Sequence, residues 1–97
     1  MRIKEIRPSV EACNEAGWFA LDFILEEPLS DTDILRFRPM GSFLYLSSLK
    51  KPFFKSEGDY FHIKGMKGEA RFRMAVHGEH RDLLENIRKR LENQEEE

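Results

Sequence analysis

A disulfide within the chain is excluded. Its single cysteine, Cys13, has no partner for an intrachain bridge and suits a reducing compartment. No apolar run approaches the ~20 residues that a membrane-crossing helix needs, and no leader-peptide pattern is present, so a cytoplasmic location is expected. Internal repeats are absent, as are a glycine-rich phosphate loop, a serine elbow and a paired-carboxylate motif. Nor does one sign of charge dominate: 16 Lys and Arg stand against 18 Asp and Glu, so no global field points to nucleic acid or membrane.

What is present is enough for one domain. A chain of 97 residues buries roughly 60–65% of its unfolded surface, sufficient for a single core. Residues 1–91 are read as that domain. Residues 92–97 (ENQEEE) have nothing to bury and are expected to fray as an acidic tail. Charge is unevenly spread within the domain: residues 1–33 carry three bases and eight acids, whereas residues 34–78 carry nine bases and three acids.

Pattern, turn chemistry and capping agree best from Asp59 to Leu91. Phe61 and Ile63 alternate with Tyr60, His62 and Lys64. Phe72, Met74 and Val76 alternate with Arg71, Arg73, Ala75 and His77. Period-two alternation marks half-buried strands. The glycines of Gly65-Met66-Lys67-Gly68 suit the reversal between them. A two-residue turn at Lys67-Gly68 pairs Ile63 with Phe72, and a four-residue loop over Gly65–Gly68 pairs Phe61 with Phe72. Both keep the apolar residues together, so His62, Lys64, Arg71 and Arg73 share the opposite face. An amphipathic helix follows, with Glu79 and Asp82 near its start, Arg88, Lys89 and Arg90 near its end, and Leu83, Leu84, Ile87 and Leu91 as its stripe. Glu85 and Lys89 are spaced for an i,i+4 pair.

Upstream, Arg2–Arg7 reads as a short edge strand ended by Pro8, and Ser9–Gly17 as one helical turn at most. Trp18–Leu25 is apolar on both faces and reads as a central strand. Residues 30–38 have two readings. Ser30 and Asp33 suit a helix N-terminus. Alternation over Ile34–Arg38 suits a strand after a turn at Leu29–Asp33, which is the reading preferred here, with Arg36 and Arg38 on one face. Ser42–Leu49 reads as another central strand, and Lys50–Gly58 as a loop in which Phe53-Phe54 forms at most a short strand.

The expected fold is α+β: an antiparallel sheet of five to six strands, mostly sequential hairpins, packed by one C-terminal amphipathic helix. One helix ~10–12 Å wide covers about half of a five-stranded sheet. The sheet must then curl, or a second copy must cover the rest. The strand–strand–helix ending over the last third resembles that of pleckstrin-homology-like domains, which would imply a curled roll closed by the helix.

Candidate chemistry starts with the basic hairpin face: His62, Lys64, Arg71 and Arg73, extended by Arg36 and Arg38. Crowded cations call for an anionic ligand, an acidic protein segment or nucleic acid, or for neutralisation by Asp22, Glu26 or Glu27. Lys50-Lys51-Pro52-Phe53-Phe54-Lys55 mixes bases and rings as single-strand binders do, although two phenylalanines more often close a small core. His77-Gly78-Glu79-His80 offers metal-ligand types without a specific spacing, so no metal or other cofactor is assigned. Cys13 stands between Glu11 and Glu15, the reverse of the cationic surroundings that activate a thiol. Asp22–His62 is an acid/base pair on paper only. The expectation is a small non-enzymatic binding or assembly module. It would form a homodimer through an apolar sheet face and meet an anionic partner through the basic hairpin. The alternative is a small enzyme or accessory subunit with a pocket between curved sheet and helix.

Overall fold

The computed structural model describes residues 1–9 and 16–93; Cys13 and most of the Ser9–Gly17 turn lie outside these, as do residues 94–97. Six strands form one antiparallel sheet: β1 (Ile3–Pro8), β2 (Trp18–Leu25), β3 (Ser42–Leu46), β4 (Phe53–Glu57), β5 (Phe61–Met66) and β6 (Arg71–His77). Their order across the sheet is β1-β2-β6-β5-β4-β3. The fold is therefore the expected α+β class, with a β1–β2 hairpin and a β3-to-β6 meander joined where β2 pairs with β6. The sheet stays open: β1 and β3 are its two edges, and they do not meet to close a roll.

Alternation decides which residues enter the core. Phe23 and Leu25 of β2, Phe54 of β4, Phe61 and Ile63 of β5, and Phe72, Met74 and Val76 of β6 are all buried on the inner face. Phe23 stacks on Phe72 at 4.7 Å between ring centroids, and Phe37 meets Phe54 at 4.9 Å and Phe72 edge-on at 5.1 Å. The C-terminal helix α2 (Asp82–Asn93) covers this face with Ile87 and Leu91, flanked by Leu83 and Leu84. It extends two residues past Leu91. Its salt bridges centre on Arg88, which reaches Glu85 at 2.8 Å and Glu92 at 3.2 Å. Arg81, just before α2, lies 4.9 Å over the Phe19 ring.

Residues 30–38 correct the strand reading. A short helix, here α1 (Asp31–Leu35), starts from Ser30, whose hydroxyl accepts from the Asp33 amide while the Asp33 carboxylate accepts from the Ser30 amide. Two orphan donors are satisfied locally, which the extended alternative would leave to a partner strand. One 3₁₀ turn, Arg38–Met40, follows. The segment packs Ile34 and Phe37 into the core, and the buried Ser56 hydroxyl donates to the Phe37 carbonyl at 3.1 Å. Thus β4 is fastened to the segment by a satisfied polar contact.

Three further expectations shift. Lys50–Gly58 is no loop, since Phe53–Glu57 is a full strand between β3 and β5. Ser42–Leu49 is not central: β3 ends at Leu46 and pairs only with β4. The β5–β6 register also lies beyond both expected versions, with Ile63 opposite Met74 and Gly65 opposite Phe72. The reversal is Lys67–Ala70, where Gly68 has φ +89° and the Glu69 amide bonds the Met66 carbonyl at 3.3 Å. Gly65 has a different task. A Cβ there would stand 2.9 Å from the Phe54 ring and 3.1 Å from the Phe72 Cβ.

Candidate functional site

The face turned away from α2 carries the charge. Because all six strands are antiparallel and in register over their centres, outward residues line up in rows across the sheet. One row reads Arg7, Asp22, Arg73, Lys64, Lys55, Leu44 from β1 to β3. Its three middle cations are direct cross-strand neighbours: Arg73 opposite Lys64, and Lys64 opposite Lys55. The next row toward the β5–β6 reversal brings Arg71 opposite Ile24, and Phe53 opposite Met66 and Leu46.

Between these rows lies an open depression of about 330 Å³, lined by Lys64, Arg71 and Arg73, with Phe53 and Met66 as its apolar side and Asp22 and Glu69 as its carboxylates. Asp22 is buried and sits opposite Arg73 in the strand register, which places a carboxylate at one end of the cation row. Glu26 does not join it, lying 4.0 Å from Arg2 instead. Glu26 and Glu27 line a separate hollow of about 460 Å³ with Met1, Arg2, Leu25 and Asp33. Lys55 has Glu57 at 3.1 Å on its own strand. Among the described residues, Lys64 and Arg71 make no ion pair, and both are exposed.

Of the residues singled out in the sequence, the structure brings Lys64, Arg71 and Arg73 to this depression and sets His62 one row away, opposite Ala75. Arg36 and Arg38 are not part of the strip. The helical α1 segment takes them off the sheet: Arg36 is the C-cap of α1, and Arg38 opens the 3₁₀ turn. Arg36 is half-buried, and its Nη1 is enclosed without a hydrogen-bond partner among the described residues. Sequence reasoning missed Met66, placed Lys55 in a separate aromatic–basic loop instead of beside Lys64, and grouped Phe53 with Phe54. Little signal was available, because Phe53-Phe54-Lys55-Ser56-Glu57 shows no apolar alternation and one of its two inward residues is Ser56.

His62 belongs to a cluster of rings at the other end of the face. Trp18 lies 4.9 Å from His62 and 5.7 Å from His77, reaching across the small Ala75 of the intervening strand. Tyr60 stacks on His80 at 3.7 Å, and His77 and His80 are 5.8 Å apart. His77 Nδ1 accepts the Glu79 amide at 3.1 Å, capping the turn that leads into α2. No group of three His, Cys, Asp or Glu that would hold a metal ion occurs among the described residues. Asp22 and His62 lie two strands and one row apart, with no acid/base contact between them.

Two more expectations are placed by this geometry. The outer side of β2 is not a continuous apolar surface, since Trp18, Ala20 and Ile24 are interrupted by buried Asp22. Large exposed apolar side chains gather instead at the β3 edge, where Leu44, Leu46 and Leu49 are 41%, 40% and 49% accessible. Between sheet and α2, core side chains fill the space, and the depression opens on the opposite face. No helix among the described residues is long and apolar enough to cross a membrane.

No family model matches the chain, and neither a curated protein nor a solved structure matches it.

Proposed function

We propose that the chain is a small non-enzymatic binding module that holds a phosphate-bearing partner on the outer face of its sheet. The observation that carries this reading is the succession Arg73–Lys64–Lys55 on adjacent strands. Like charges directly opposite are destabilising, by about what a favourable pair contributes, roughly 0.2–1 kcal/mol each. Asp22 and Glu57 place carboxylates at the two ends, whereas Lys64 in the middle has no carboxylate of its own. An oxyanion in the adjoining depression accepts charge-assisted hydrogen bonds from Lys64, Arg71 and Arg73 together. Phe53 and Met66 then offer an apolar wall to whatever carries the phosphate. Three cations against two carboxylates favour a ligand that is anionic and also donates hydrogen bonds, so a bare ion is the weaker candidate.

The test is a titration with pyrophosphate, a short single-stranded oligonucleotide and a glutamate-rich peptide at low salt, followed by amide shifts. The single tryptophan, Trp18, supplies a second signal. Saturable shifts at Lys64, Arg71 and Arg73 are expected with at least one phosphate probe. They should weaken as salt is raised and disappear in Lys64→Glu with Arg71→Glu. Both side chains are exposed, so that variant keeps its fold. Response to the peptide alone transfers the face to an acidic protein segment, and no response to any probe removes the proposal.

A further inference from the structure

The two edges of the sheet are built differently. The β1 edge carries Lys4, Glu5 and Arg7, ends in Pro8 and has a register irregularity between Ile3 and Glu5. These are the devices that keep an edge from pairing with another chain. The β3 edge has none of them. Ser42–Leu46 contains no charge and no proline, and its register with β4 is unbroken.

The free hydrogen-bonding groups of β3 follow from alternation. The Gly58 amide bonds the Phe61 carbonyl at 2.9 Å, and the Lys67 amide bonds the Pro52 carbonyl at 2.9 Å. Even-numbered residues of β4 therefore bond to β5, and Phe53, Lys55 and Glu57 bond to Leu46, Leu44 and Ser42 of β3. Phe43 and Tyr45 are left with amide and carbonyl groups directed off the sheet. Neither has a backbone partner on that side among the described residues.

We infer that this edge pairs with the β3 edge of a second copy, antiparallel about a two-fold axis at Leu44. The inference stands independently of anion binding. The segment matches itself: Phe43 of each copy faces Tyr45 of the other in a hydrogen-bonded pair, giving four main-chain bonds. Leu44 faces Leu44 in the closer, non-bonded pair. Aromatic cross-strand pairs fall on one face and the exposed leucines on the other, with no like charge within the paired strands. A foreign strand could supply the same bonds, but this two-fold match of rings and leucines is a property of the segment against its own copy. A five-residue edge falls short of the roughly 1,200–2,000 Å² of a standard stable interface, so the dimer is weak and concentration-dependent. Leu44 lies in the row of Lys55, Lys64 and Arg73, so pairing aligns both cation rows over roughly 34 Å, seven strand spacings.

Sedimentation velocity across a wide concentration range, with amide exchange of Phe43 and Tyr45, tests the inference. The wild-type chain is expected to dimerise as concentration rises, with protection growing at those two amides and little changed at Leu44. Leu44→Lys and Leu44→Glu, each alone, place like charges at the axis and should sediment as folded monomers. Mixed in equal amounts, they should restore the dimer. A strict monomer with freely exchanging Phe43 and Tyr45 amides overturns self-pairing and leaves the edge to a foreign strand. A dimer indifferent to Leu44→Lys, or no restoration on mixing, overturns the register.

Discussion

Phe53 and Phe54 are adjacent in the chain and lie in different environments on opposite faces of the sheet. Phe54 is fully buried, packed against Phe37 and held so closely by the strand beside it that only glycine fits at position 65. Phe53 is half-buried on the outer face, beside Met66 and the cations of the depression. The inner face is apolar, ring-rich and closed by α2. The outer face is a charged lattice with a few apolar residues and one greasy edge. What distinguishes them is a single step of the pleat, and it separates residues that hold the fold from residues free to meet a partner.

The sharpest way to break this comparison is to truncate both rings. Phe54→Ala should lose about 3–5 kcal/mol in urea denaturation, a large share of the stability of a domain this size. Phe53→Ala should cost roughly half of that or less, since its ring is only partly removed from water. Equal costs would mean that the outer face is covered in solution. A smaller effect of opposite sign comes from Lys64→Thr, which relieves two like-charge pairs while keeping a strand-forming residue. A gain of about 0.2–1 kcal/mol is expected, shrinking as salt rises. Destabilisation instead would show that Lys64 already has a stabilising partner.

The smallest effect belongs to the inner side of the β3 edge. Tyr45 donates its hydroxyl to the Asp31 carboxylate, which Lys67 also contacts at 2.9 Å. These bonds hold the Asp31 carboxyl below its ordinary value and push the Tyr45 phenol up to about 12 from 10.0. A raised phenol is stabilising while protonated, so its contribution is complete below pH 10 and is lost as pH rises through about 12. The lowered Asp31 carboxyl works at the other end: its contribution is present above 3.8 and fades as pH falls below that value. A spectrophotometric tyrosine titration should show one late transition that Asp31→Asn returns toward 10. An unchanged transition in that variant would place its cause elsewhere.

How far these regions were legible in the sequence varied with the range of the forces involved. The shared face of His62, Lys64, Arg71 and Arg73 was legible because parity survives any even shift of register, and the observed shift is even. The register was not, because the reversal is fixed from outside the hairpin. The Leu29 amide bonds Glu69, the Gly68 amide bonds Leu29, and the Lys67 amide bonds Pro52. Gly68 serves the turn as its type suggested, whereas Gly65 answers to Phe54 and Phe72 across the inner face. For residues 30–38 the capping box was visible in the sequence and competed with an equally visible alternation. The core decided for the helix by accepting Ile34 and Phe37. That outcome also removed Arg36 and Arg38 from the candidate strip.

The sequence by itself determined which residues within each strand turn together, and where a helix of suitable charge and stripe would close the chain. Those are matters of period and local bonding, settled within a few residues. Only the tertiary structure decided that β2 joins β6, that β3 becomes an edge, and that Lys55, Lys64 and Arg73 stand side by side. The reason is that strand pairing is a contest among distant segments for the same hydrogen bonds. Every strand here offered a face that satisfied its own pattern, and only the assembled sheet selected the neighbours.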